Sequence, residues 1–284
     1  MGIFQDKICI VTGAGSGIGK ALCEQLSAQG AVVTATDIDA SSLQQAVQAI
    51  SRAGGRCTAA VFDVSDYEAF KQCIEETAAQ HGRLDYMFNN AGIACCAEIH
   101  ETQIEHWRKV LDVNLNGVIH GSLTAFKIMA RQRFGHIVNL SSVEGFIPFP
   151  LTASYVASKF AVLGLSQSMW VEGRDLGVRV SAVCPGFIKT SIFDVTPMIG
   201  IERRKWREAN AKWEKFGVSP EKCAAVMLKG VAKNKAIIPV TLLARVFWYL
   251  YRLWPTLLLY IVLNDFRGWR KTVRESVREQ EAPI

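Results

Sequence analysis

Short apolar runs alternate along the chain with longer stretches in which apolar positions recur every three or four residues, as far as about residue 240. The run at 7–11 predicts a buried strand, and the helical period after it reaches residue 29. Further strands are expected at 31–36, 56–62, 84–88, 135–140, 178–183 and 236–240. Helices are expected at 41–53, 67–80, 102–131, 153–172 and 220–233. Strands separated by helices of this length need βαβ crossovers, which implies an α/β fold with a parallel sheet covered on both faces. No repeat or low-complexity linker interrupts the pattern, so 1–240 reads as one domain and 241–284 as a C-terminal extension.

Composition narrows the class. Of 284 residues half are hydrophobic and a fifth charged, enough for a sizeable core and too apolar for global disorder. The formal charge of +6 is mild and carries no nucleic-acid signature. Eight cysteines are scattered, Cys95 and Cys96 adjacent, with no CxxC pair. That usage predicts free thiols in a reducing, cytoplasmic compartment, with neither disulfide framework nor zinc site. The five histidines have no metal-ligand spacing, so no metal is expected. The first apolar run is too short for a secretory signal.

Candidate chemistry begins at the first strand-to-helix turn, Thr12-Gly-Ala-Gly-Ser-Gly-Ile-Gly19. Glycines there let the backbone turn tightly and approach a pyrophosphate, whose charge a helix N-terminus favours. The GxGxxG spacing fails, because Ile18 and Leu22 stand where glycine would be needed. The pattern is TGxxxGxG, with Gly13, Gly17 and Gly19 and with Ser16 and Ile18 between them. A glycine-rich turn without ligand is the plain alternative. Asp37 ends the next strand, 20 residues past Gly17, where a carboxylate can bind an adenosine ribose 2′-hydroxyl. It would repel a 2′-phosphate, and 34–40 contains no arginine or lysine, which favours NAD over NADP. The competing reading of Asp37 is a solvated strand-end acid. Asp63 and Val64 follow the third strand and Asn89-Asn90-Ala91-Gly92 the fourth, both at the sheet edge where such folds bind ligands.

TGxxxGxG at 12–19, NNAG at 89–92, Asn114, Ser141-Ser142, YxxxK at 155–159 and Pro185-Gly186 stand in one order along the chain. In that order they resemble the short-chain dehydrogenase/reductase family over about residues 5–240. The resemblance implies a Rossmann-like, doubly wound sheet of seven parallel strands in the order 3-2-1-4-5-6-7. It also implies a homodimer or homotetramer paired through the helices at 102–131 and 153–172. Tyr155 and Lys159, four apart on a helix, share a face. A lysine ammonium and an oxidised nicotinamide would lower a phenol pKa of about 10 toward neutrality, making Tyr155 the general acid/base. By resemblance Ser142, which lies 13 residues before Tyr155, bonds the substrate oxygen. Asn114 resembles the helix-breaking asparagine that supports a proton relay, and Lys159 would bind the nicotinamide ribose. Asn90, Ala91, Gly92, Pro185, Gly186, Ile188 and Thr190 would complete the cofactor site.

In such proteins the segment after Thr190 covers the substrate. Here 191–216 contains Ile192, Phe193, Met198 and Ile199, then a helical stripe of Trp206, Ala209, Trp213 and Phe216. Arg203, Arg204, Lys205, Arg207, Lys212 and Lys215 fill the opposite face. The stripe either packs on its own protein or, as a lid, lines an apolar cavity. Glu144, Phe146, Ile147, Phe149 and Leu151 stand where the family shapes its pocket, with Cys95 and Cys96 as further candidates. Glu144, Phe149 and Phe193, beside Ser142 and Tyr155, form the expected substrate contacts. They suit a lipophilic secondary alcohol or ketone of steroid, retinoid, terpenoid or fatty-chain type. Two rivals stay open: an NADP-dependent carbonyl reductase, and a non-catalytic dinucleotide-binding lipid or membrane sensor.

The extension at 241–263 is strongly apolar and aromatic, but Arg245, Arg252 and Pro255 argue against a spanning helix. The two arginines are seven apart, hence on one face, as in a broken interfacial helix with snorkelling cations. Arg267, Arg270, Lys271, Arg274 and Arg278 could meet anionic headgroups, diluted by Glu275 and Glu279. A subunit interface and a substrate cover are the alternatives for the same segment.

Overall fold

The computed structural model describes residues 2–281, with side chains described for 2–211 and 215–270. Readings placed on Lys212, Trp213, Lys271, Arg274, Glu275, Arg278 and Glu279 lie outside the described side chains.

Seven strands form one parallel sheet: β1 (Ile8–Thr12), β2 (Val32–Asp37), β3 (Arg56–Val61), β4 (Tyr86–Asn89), β5 (Gly135–Leu140), β6 (Val178–Cys184) and β7 (Ile237–Pro239). Their spatial order is β3-β2-β1-β4-β5-β6-β7, as the resemblance implies. In β1 all five residues are buried, and Val11 sits opposite Ala35 of β2 on one side and Phe88 of β4 on the other. Winding reverses at β1, which opens a crevice beyond the carboxyl ends of β1 and β4.

Helices α1 (Gly17–Ala28), α2 (Ala40–Arg52) and α3 (Tyr67–His81) follow the first three strands. The apolar stripe of α1, including Leu22 and Leu26, joins Val33, Leu43 and Met227 in the core on one face of the sheet. Ile10, Phe70, Ile74, Met87 and Ile137 build the core on the other face. Burial of these side chains from both faces is what makes the strands read as short continuous apolar runs.

The helix expected at 102–131 is interrupted. It divides into α4 (Ile104–Leu111), a π turn at Asp112–Asn116 and α5 (Gly117–Gln132). The Gly117 N–H reaches back five residues to Asp112 O, the wide spacing of a π turn. The cause is tertiary: the buried Asn114 amide is committed to the Ile93 backbone instead of facing solvent. Helix α6 (Ala153–Gly173) follows β5, and after β6 come α7 (Ile192–Val195), α8 (Arg203–Glu214) and α9 (Pro220–Ala232).

The extension folds as α10 (Leu242–Leu253) and α11 (Pro255–Glu281), with Pro255 at the start of the second helix. Ala244 and Leu258 are buried in one cluster with Phe146, Ile147, Leu163 and Cys184. Trp248 meets Phe146 edge-on, and Arg270 pairs with Glu98. Among the described residues no helix is long and apolar enough to cross a membrane.

Candidate active site

The crevice continues into a cavity of about 1060 Å³, reaching from the glycine turn at one end to α10 and α11 at the other. At the glycine end the backbone leaves no room for side chains. Gly13 has φ +66°, and a Cβ there would lie 2.9 Å from the Ala91 Cα. At Gly19 a Cβ would come within 2.0 Å of the Gly13 carbonyl oxygen. Gly19 therefore lies behind the turn and does not line the cavity, while Gly13, Ser16, Gly17 and Ile18 do. The Thr12 hydroxyl accepts from the Asn90 and Ala91 N–H groups at 2.9 and 3.0 Å, which ties this turn to the NNAG strand end. Behind them Asn89 bonds Asn139 at 2.8 Å, a buried link between β4 and β5.

A dinucleotide fits what these residues leave open. Ser16 stands at the N-cap of α1 without a side-chain capping bond, which leaves the first-turn N–H groups for an anion. The buried Asn90 Oδ1 has no hydrogen-bond partner among the described residues. Asp37 is aimed by two backbone donors, Gly15 N at 2.8 Å and Asp39 N at 3.0 Å, and lines the cleft beside the exposed Ile38. Asp63, Val64, Asn90, Ala91 and Gly92 line the same space, as do Pro185, Gly186, Ile188 and Thr190.

Deeper in, α6 brings Tyr155 and Lys159 to the cavity wall. The two serines divide their work. Ser141 donates to the Lys159 carbonyl at 2.8 Å and so ties the end of β5 to α6. Ser142 hydrogen-bonds the Tyr155 side chain and accepts from Glu144 N at 3.1 Å. Lys159 Nζ donates to Leu140 O at 2.9 Å and lies 5.3 Å from the Tyr155 ring centre. Asn114 lies just outside the lining. Its Oδ1 and the Lys159 Nζ both approach Gly92, 3.3 and 3.5 Å from where a Cβ would stand.

Electrostatics in this pocket are set by burial. Lys159 is pulled down to about 8, burial outweighing the attraction of Glu144. Glu144 is pushed up to about 7, although the Thr152 hydroxyl donates to it at 2.6 Å. In the protein alone the Tyr155 phenol is pushed up, not down, first by burial and then by the Glu144 carboxylate, with the Ser142 hydrogen bond opposing. An opposing shift would need positive charge brought beside the phenol.

Of the expected substrate contacts, Ser142, Glu144, Phe149, Tyr155 and Phe193 all line the cavity, with Ile147 and Leu151. Leu151 has φ +73°, and its carbonyl is held by the Ala97 N–H at 2.8 Å. Cys95, Cys96 and Phe146 do not line it. The Cys96 backbone holds the 191–216 segment, N–H to Pro197 and O to Ile199 at 2.9 Å each, and Phe146 faces α10. In that segment Phe193 packs on Trp206 at 4.5 Å, and Ala209 joins the lining. Phe216 is 61 % exposed, so the stripe ends before it. The sequence did not single out Thr152 or Ile38, nor assign Phe247, Leu258, Val262 and Trp269 of the extension to the cavity wall.

Known proteins agree with this architecture. A 3-oxoacyl-[acyl-carrier-protein] reductase of Thermotoga maritima is 35 % identical over 79 % of this chain and 89 % of its own. A meso-2,3-butanediol dehydrogenase of Serratia marcescens is 34 % identical over 79 % of this chain and 86 % of its own. A short-chain dehydrogenase/reductase of Burkholderia phymatum, solved in complex with NAD, is 28 % identical. It superimposes with a TM-score of 0.77 over 84 % of this chain and 90 % of its own. The short chain dehydrogenase family itself matches over residues 7–197, and the chain belongs to that family of oxidoreductases.

Proposed function

We propose that the protein is an NAD-dependent dehydrogenase or reductase acting between a lipophilic secondary alcohol and its ketone. The observation that carries this reading is the convergence of Tyr155, Ser142 and Lys159 on one wall of a cavity whose far end, toward α10 and α11, is lined mostly by apolar and aromatic side chains, with Asn210, Asn264 and Asp265 as polar members. Bound NAD supplies the hydride acceptor for the alcohol carbon. Gly13, Ser16, Gly17 and Ile18 would hold its pyrophosphate, Asp37 its adenosine ribose, and Lys159 its nicotinamide ribose. Tyr155 takes the hydroxyl proton of the alcohol in oxidation, and returns one to the ketone oxygen in reduction. Ser142 bonds the same oxygen and fixes its distance from the phenol. Asn114 acts one layer back, holding Ile93 and Ser158 around the base of the Tyr155–Lys159 helix turn.

The lipophilic class is supported by Phe149, Phe193, Trp206, Phe247, Leu258 and Trp269 in the lining, which also holds the polar Asn210, Asn264 and Asp265. Of the relatives, one is named for a 3-oxoacyl group and another for the small diol 2,3-butanediol, so the lipophilic class rests on the lining. The test is NADH absorbance with a panel of steroids, retinol and long-chain secondary alcohols, run on wild type and Tyr155→Phe. NAD reduction by the wild type, cut at least about a thousandfold in the variant, supports the reading. Equal rates in the two proteins would reject it. NAD binding without turnover on any alcohol or ketone would favour the non-catalytic sensor.

A further inference from the structure

The two helices of the extension have two faces with different duties. Inward, Ala244 and Leu258 are buried and close the cavity. Outward, α10 presents Leu242, Val246, Tyr249 and Leu253, and α11 presents Leu257, Leu259, Tyr260 and Leu263. The exposure is large: Tyr249 is 66 %, Trp254 56 %, Leu257 55 % and Tyr260 67 % accessible. A contiguous apolar face of this kind on a soluble domain marks a docking surface.

We propose that this outer face seats on an anionic lipid surface, with α10 and α11 lying flat against it. Three observations select lipid as the occupant. No aspartate or glutamate stands between Val240 and Asp265, while Arg245 and Arg252 lie on the exposed face of α10. Neither arginine has an ion pair among the described residues: Arg245 leans on the Pro239 carbonyl, and Arg252 stacks over Trp248 at 5.1 Å. Apolar side chains rimmed by unpaired cations complement anionic headgroups over acyl chains. The patch is also edged by Tyr249, Trp254 and Tyr260, amphipathic rings that prefer the boundary between headgroup and chain. Finally, Ile261 is half exposed on this face and also lines the cavity, so the patch is continuous with its wall. A second copy fits less well. Two-fold pairing would bring the two arginines of each copy into one interface that holds no acid to neutralise them. The inference goes beyond the proposed reaction and does not depend on it.

The test is flotation of the full chain with vesicles of pure phosphatidylcholine and of equimolar phosphatidylcholine and phosphatidylglycerol. Wild type is expected to float with the anionic vesicles. Leu257→Glu with Tyr260→Glu, neither of which lines the cavity, should lower the bound fraction at least about tenfold. Arg245→Gln with Arg252→Gln should weaken binding to the anionic vesicles about twenty-five-fold, at about fivefold per cation, and leave the neutral ones unchanged. NAD binding by each variant reports that it is folded. Should the glutamate pair not fold, quenching of wild-type tryptophan emission by chain-brominated lipid, reduced in Trp254→Phe, reads the same contact. Wild type left at the bottom of both gradients, or glutamate and wild-type chains floating alike, overturns the proposal. So does a glutamate variant of half the wild-type mass by light scattering, which would assign the face to a second copy. None of these measurements involves turnover, so failure here and failure of the dehydrogenase reading are separate results.

Discussion

Asn114 is bonded to Ile93 from both ends of its amide, Oδ1 accepting the Ile93 N–H at 2.8 Å and Nδ2 donating to the Ile93 carbonyl at 2.9 Å. This pair joins the π turn before α5 to the segment after Gly92, and a third bond reaches Ser158 beside Lys159. An aliphatic residue at 114 would leave both Ile93 groups unpaired. Asn114→Leu should therefore cost about 2 kcal/mol of stability in urea unfolding and lower kcat at least about tenfold. A variant with full kcat would remove Asn114 from any role in placing Lys159 for the proposed reaction.

Glu144 should shape the pH profile. Its carboxyl, pushed up to about 7 by burial, is neutral below that pH and ionised above it. Once ionised it raises the Tyr155 phenol and so disfavours the base form that the proposed alcohol oxidation would use. Glutamine can still accept from Thr152. Glu144→Gln should then oxidise alcohol faster than wild type above pH about 7, by up to about tenfold for each pKa unit removed from the phenol. The two profiles should meet below about pH 6. An inflection near neutrality that survives in Glu144→Gln belongs to another group.

Much of this site was legible in the sequence because its parts are local. The glycine turn needs positive φ at Gly13 and no Cβ at Gly19, and both demands sit within eight residues of chain. Tyr155 and Lys159 share a face by helix period alone. Directions set by tertiary packing were not legible. Phe146 and Phe149 are three residues apart in a loop, where period says nothing, and one turns to α10 and the other to the cavity. Helix α11 is apolar nearly all round from Leu257 to Leu263, so periodicity could not mark Leu258 and Val262 as the face that packs. The π turn at Asp112–Asn116 was hidden for a different reason: its residues continue a helical pattern, and only the distant partner Ile93 accounts for the break.

Asp37 should govern cofactor choice. Its carboxylate is fixed by Gly15 and Asp39 and faces the cleft beside Ile38, which is exposed and could carry a long side chain outward. Asp37→Ser with Ile38→Arg replaces a charge that repels a 2′-phosphate by one that attracts it. The ratio of kcat/KM for NAD over NADP should fall by at least about a hundredfold, measured with one alcohol under both cofactors. A wild type that already prefers NADP would contradict the assignment of Asp37 to the ribose.

Two buried groups should oppose each other in the pH dependence of stability. His136, hydrogen-bonded to Ser181 at 2.8 Å, is pulled down to about 3 by burial and then by Arg179. Between that value and its ordinary 6.5 the unfolded chain binds a proton that the folded chain does not, so His136 makes stability fall as pH falls. Glu144 has the opposite sign. Between its ordinary 4.5 and about 7 the folded chain keeps a proton that the unfolded chain has lost, so stability falls as pH rises. Each slope is at most about 1.4 kcal/mol per pH unit, and from about pH 4.5 to 6.5 the two nearly cancel. Lys159, titrating near 8, stays outside this window. Urea unfolding of wild type should therefore give a nearly flat profile there. In Glu144→Gln the histidine is left alone and stability should drop toward acid, whereas in His136→Asn it should drop toward neutrality. Parallel profiles for the two variants would show that neither group carries the proton its burial implies.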